Sequence, residues 1–106
     1  MNIYFKPNVI VVWTHTNIEI ADGFCQACTE VYPGYIPTLT SGSDGIHSDQ
    51  SGHYYGRALD FRSHDLPNDG NLIWQIKERW EELLGVNYLC ILEGDHFHLQ
   101  RQKNSF

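Results

Sequence analysis

Two short motifs hold side chains able to bind a metal. His53 and Asp60 stand seven apart around Gly56, and His96 and His98 form a His-x-His near the C-terminus. Imidazole nitrogens and carboxylate oxygens are the donors of catalytic zinc sites, which take three protein ligands and keep a fourth position open, whereas a structural zinc fills all four. His53, Asp60 and His98 make such a three-donor set, so Zn²⁺ is the expected cofactor. Six histidines in 106 residues will set some beside acids by chance, and spacing alone is weak support. The surroundings add to it. Gly52, Gly56 and Ala58 suit a backbone that turns sharply and packs closely. The run from Arg57 to Arg62 alternates as a strand does, which fixes Asp60 on one face.

A metal site becomes hydrolytic only with a proton acceptor near its open position. Glu93, Asp95 and His96 all stand close to His98 in the chain. Zinc brings the pKa of water toward about 7, and a neighbouring carboxylate can take the proton and later hand it to a leaving amine. Asp95 adjoins Gly94 and has the alternative role of capping a hairpin through its own backbone. Glu93 is therefore the first candidate for the base and Asp95 the second. His96 shares a strand face with His98 and would hold substrate or steady an oxyanion.

The segment from Asp44 to Asp60 closely resembles the metal-site segment of Hedgehog signalling domains and of the zinc D-alanyl-D-alanine peptidases, small phage and bacterial members included. Ser51, His53, Gly56, Ala58 and Asp60 match Ser-x-His-x-x-Gly-x-Ala-x-Asp in full, and His96-Phe97-His98 resembles the closing His-x-His. The likeness covers residues 36 to 101 in order and spacing, and the first 35 residues carry none. It implies an α+β fold with a small antiparallel sheet flanked by two helices, one zinc on His53, Asp60 and His98, and hydrolysis of a peptidoglycan stem peptide. It leaves the base open, since some members carry an acid in the position of Asp95 and Hedgehog domains a glutamate nearer that of Glu93. His47, six before the first ligand, matches a histidine of the Hedgehog segment.

Two departures matter. The peptidases usually carry an arginine in the loop before the first ligand, and Ser41-Gly42-Ser43-Asp44 has none, which leaves His47, His96 or the metal to stabilise the oxyanion. Only Asp44 stands where Hedgehog domains hold calcium with several acids, too few for six or more oxygens. Because Hedgehog domains keep this constellation while serving as ligands, a catalytically weak or inactive zinc-binding module is the alternative.

The elements that must position these groups follow from periodicity. Asn8 to Trp13 reads as a strand, and Thr14, Thr16 or Asn17 as the cap of a helix reaching about Tyr32, where Pro33-Gly34 stops it. Ile18, Ala21, Cys25, Cys28 and Tyr32 recur at helical spacing as its buried stripe. Ile36 to Thr40 reads as a strand leading into a Ser-, Gly- and Asp-rich loop, Ser41 to Gly52, that delivers His47 and His53. Leu72, Ile73, Ile76, Trp80, Leu83 and Leu84 predict a second helix ended by Gly85, with Glu78, Glu81 and Glu82 on its solvated face. Asn87 to Leu92 and Phe97 to Arg101 then form a hairpin around Glu93-Gly94-Asp95, with Phe97 and Leu99 toward the core and His96 and His98 away from it.

Length fits one domain over residues 1–106, expected to act as a monomer. Seven basic against thirteen acidic residues give a net charge of −6, which argues against nucleic acid or an anionic membrane as partner. No apolar run reaches membrane-span length and the first residues lack a secretory signal. Synthesis and retention in the cytoplasm are expected, with release to the cell wall left to a factor such as a phage holin. Three cysteines are an odd count that argues against a disulfide framework, and Cys25-x-x-Cys28 has no second such pair to complete a zinc knuckle, so packing is its expected role. Tyr54 and Tyr55 offer aromatic faces to a peptide, and Arg57 or Arg62 a partner for a stem carboxylate.

Overall fold

Local signals set the first helix. The Thr14 hydroxyl accepts the Asn17 backbone N–H at 3.0 Å, and α1 runs His15–Val31. Tyr32 closes it by donating its N–H to Cys28 O at 2.8 Å, and Gly34, at φ +91°, turns the chain where Pro33 cannot extend the helix. The second helix, α2, spans Leu72–Leu84; Gly85, at φ +93°, ends it with an N–H bond to Glu81 O. These belong to a computed structural model that describes residues 1–42, 56–68 and 70–102. Among the described residues no helix is long and apolar enough to cross a membrane.

Among the described residues five strands complete a small α+β domain: β1 (Tyr4–Phe5), β2 (Thr38–Ser41), β3 (Ala58–Arg62), β4 (Tyr88–Glu93) and β5 (His96–Arg101), in the sheet order β1-β2-β3-β5-β4. The sheet is mixed, which corrects the antiparallel expectation: β1 runs parallel to β2 and the other pairs are antiparallel. The Asn8 to Trp13 run does not form the expected strand. Pro7 has no N–H to give a ladder, Asn8 takes the left-handed region at φ 69°, and the Asn17 side chain takes the Val12 carbonyl at 2.8 Å. Val9 and Val11 still pack against the core, so the alternation reports burial and not a strand.

Both helices lie on one face of the sheet. Phe24 of α1 stacks on Phe61 at 4.6 Å between ring centroids and meets Phe97 edge-on at 5.0 Å; Trp80 of α2 meets Tyr88 edge-on at 6.0 Å. The Trp80 indole N–H donates to Ile20 O at 3.1 Å, which satisfies a buried polar atom and ties α2 to α1. A Cβ at Gly23 would sit 2.6 Å from Leu84, so a glycine there lets the helices approach.

The buried stripe of α1 is rotated from the expected one. Ile20, Ala21, Phe24, Ala27 and Cys28 are buried, while Ile18 and Tyr32 are exposed and Cys25 is partly covered, because the large Phe24 ring sets the contact with the sheet. Burial pushes up the Cys28 thiol and takes Cys90 up to about 12, so both stay protonated and serve as packing groups. Glu81 is not simply solvated either: it holds Lys77 at 2.8 Å and accepts the Cys90 backbone N–H at 2.9 Å, clamping α2 to β4.

Candidate metal centre

Strand alternation puts the polar residues on the face away from the helices. Across the β3–β5 ladder Asp60 stands opposite His98 and Arg62 opposite His96, and across β4–β5 Glu93 stands opposite His96. Their neighbours Leu59, Phe61, Phe97 and Leu99 fill the core. A pleated strand cannot send one set inward without sending the other outward.

Gly56 fixes the approach to this strand. It has φ +67° and its carbonyl accepts the Thr14 hydroxyl, while a Cβ there would lie 2.6 Å from Thr14 Cγ2. Thr14 also caps α1, so the start of the helix and the entry to β3 share one residue. Glycine is required twice over, by backbone conformation and by space.

Asp60 and His98 are in direct contact. His98 Nδ1 lies 2.9 Å from Asp60 Oδ1, and its Nε2 lies 2.7 Å from Gln100 Oε1. Burial pulls the imidazolium down, yet the hydrogen bonds to Asp60 and Gln100, with the negative charges of Asp60 and Glu93, together outweigh it and hold His98 above its ordinary value. The ring is thus held between two acceptors. Metal-ligating histidines are commonly fixed by a hydrogen bond from the other ring nitrogen, and the contact between His98 Nε2 and Gln100 is of that form. Donors at ordinary zinc distances lie roughly 3 Å apart around one ion, so the separation of Asp60 Oδ1 and His98 Nδ1 fits.

Glu93 and His96 stand around that pair. His96 Nε2 is 3.6 Å from Glu93 Oε1 and 3.7 Å from Asp60 Oδ2, and Glu93 Oε1 is 3.9 Å from His98 Nδ1. Asp95 faces the other way: its Oδ1 holds His96 Nδ1 at 3.0 Å, and that hydrogen bond keeps the fully exposed carboxyl below its ordinary value. Glu93 therefore reaches the Asp60–His98 pair, whereas the Asp95 carboxyl bonds the far nitrogen of His96 while bordering the same depression as Asp60. Among the described residues no three His, Cys, Asp or Glu side chains are grouped to hold a metal by themselves. His53, the third expected donor, and His47 lie outside the described residues, as do Tyr54 and Tyr55.

Two depressions share His96. One, of about 390 Å³, is largely apolar and includes Trp74, Ile73, Leu92 and Pro67; the other, of about 340 Å³, includes Lys6, Arg62, His64 and Asp60. Lys6 and His64 carry no motif signal, whereas Gln100 could have been found as the next residue on the His96, His98 face. Arg57 is buried just before β3 and Arg62 lines the polar depression, which separates the two arginines considered for a carboxylate. No protein-family model matches the chain, and no curated protein matches it.

Proposed function

We propose that the chain is a zinc-dependent peptidase of the Hedgehog and D-alanyl-D-alanine peptidase kind, hydrolysing an amide bond in a short peptidoglycan stem peptide. The observation that supports it is the cross-strand pair of Asp60 and His98, with Glu93 Oε1 3.9 Å from the His98 ring nitrogen. Asp60 and His98 would hold the metal together with His53. Zinc bound there would supply a Lewis acid for the amide carbonyl and lower the pKa of the attacking water.

The remaining roles belong to side chains. Glu93, half-exposed at the end of β4 and beside the Asp60–His98 pair, would accept a proton from water and return it to the leaving amine. His96, held by Asp95 through Nδ1, would donate from Nε2 to a developing oxyanion. His47 is a second candidate for that donor. Gln100 holds the His98 ring in place.

A zinc-bearing binding module is the second reading. It is favoured by one observation: Tyr4, Phe5, Ile10, Val12 and Trp13 all expose apolar surface near the N-terminus, as a partner-binding patch does. Incubation with purified peptidoglycan separates the two. The peptidase reading expects new amino termini, abolished by a chelator and restored by zinc; a fully zinc-loaded protein that releases none from any stem-peptide type would leave the binding module.

A further inference from the structure

The polar depression beside His96 contains Lys6, Arg62 and His64 together with Asp60. Arg62 is two residues beyond Asp60 on β3, so it shares the strand face of the candidate centre. Lys6 is brought there by β1: its N–H donates to Leu39 O at 2.9 Å, the last link of the parallel β1–β2 pairing. The chain has thirteen acids for seven basic residues, so an unpaired cation is not the result of a shortage of carboxylates. Lys77 pairs with Glu81 and Arg79 with Glu30, at 2.8 and 3.0 Å. The side chains of Lys6 and Arg62 make no hydrogen bond or ion pair among the described residues, although Asp60 and Asp95 line the same depression.

We propose that this depression is a carboxylate subsite, with Arg62 and Lys6 as its receptor groups, and that it sets which peptides the centre accepts. The proposal rests on the peptidase reading for the identity of the ligand as a peptide. A guanidinium offers a planar pair of N–H donors that match the two oxygens of a carboxylate, and a lysine adds a point charge. His96 separates this subsite from the apolar depression around Trp74. A peptide lying across His96 therefore directs its acidic group toward Arg62 and Lys6 and its apolar part toward Trp74. The acidic group can be the terminal carboxylate or an acidic side chain, which share the same chemistry.

Binding measured in the Glu93→Gln background, where probes are not consumed, tests this by amide NMR titration. The probes are N-acetyl-D-alanyl-D-alanine, its C-terminal amide, and N-acetyl-D-alanyl-D-glutamic acid α-amide, whose only carboxylate is on the side chain. At least one acid should bind about tenfold tighter than the neutral amide, and the preferred acid identifies the carboxylate's source. Lys6→Gln and Arg62→Gln should each reduce that preference and their combination should abolish it, with affinity for the neutral amide unchanged; Arg62→Lys should restore part. The spectra themselves report whether each variant is folded. Equal binding of all three probes, no binding of any, or a preference that survives the double substitution would overturn the subsite. A carboxylate preference in a protein that cleaves no peptidoglycan would keep the subsite and remove the peptidase reading.

Discussion

On β3 and β5 adjacent residues meet opposite surroundings. Leu59, Phe61, Phe97 and Leu99 are fully buried beneath the helices, while Asp60, Arg62, His96, His98 and Gln100 lie on the other face and bond to one another or border a depression. One face contributes stability through aromatic contact with Phe24, and the other holds titratable groups within hydrogen-bonding reach. The two functions are separable because a side chain on one face cannot touch the other. Gly56 and Thr14 are the exception, since they join the α1 cap to the strand that carries Asp60.

The comparison is best broken from the core side. Phe97→Ala should destabilise the protein by about 3–5 kcal/mol, a large part of a small domain's stability, as read by chemical denaturation. If a loss of this size came instead from His96→Ala, the division between the faces would fail. Glu93→Gln is the reverse probe. It should lower peptide turnover on the order of a hundredfold or more and shift stability by less than about 0.5 kcal/mol, because the carboxylate is half-exposed. Asp95→Asn should cost less activity, and the opposite order in a side-by-side rate comparison would move the base to Asp95.

Gly56→Ala should affect both faces. A non-glycine residue in the left-handed region with its Cβ against Thr14 is expected to cost about 1–3 kcal/mol, and zinc affinity should fall with it. A stable variant with intact zinc binding would show that the link between α1 and β3 is dispensable. A smaller effect is expected from pH in the metal-free protein. His98 is held above its ordinary value, so its ion pair with Asp60 contributes fully below about pH 6.5 and is lost as pH rises through the raised folded value. The stability gap between the wild type and His98→Gln should therefore narrow on going from pH 6 to pH 9. Zinc binding at the proposed site should have the opposite slope, because a ligating ring nitrogen must lose its proton first. A gap that widens with pH would mean that the ring is neutral in the fold.

Much of this arrangement is legible in the residues. The α2 stripe with Gly85 behind it marks the helix where it is found, and the His-x-His alternation puts Phe97 and Leu99 inward and both histidines outward. What periodicity could not show is pairing. Asn8 to Trp13 has the alternation of a strand, but Pro7, Asn8 and the capture of the Val12 carbonyl deny it a ladder. Helical spacing puts Ile18, Ala21, Cys25, Cys28 and Tyr32 on one α1 stripe, whereas the packing is decided by which ring meets Phe61 and Phe97, a tertiary fact. Glu81 looked like surface because its partner, the Cys90 N–H, belongs to a later strand. Within the site, spacing gave Asp60 and His98 but not the register that makes them face each other, nor Lys6, which depends on a two-residue parallel strand.

Zinc stoichiometry tests the central claim most directly, measured by elemental analysis of the purified wild type and of Asp60→Ala, His98→Ala and His96→Ala proteins shown to be folded. The account expects one zinc per chain in the wild type and in His96→Ala, and none in the other two, because Asp60 and His98 supply adjacent donors while His96 stands beside them. Full zinc in His98→Ala with loss in His96→Ala would contradict the assignment, and a folded wild type that takes up no zinc would contradict the site itself.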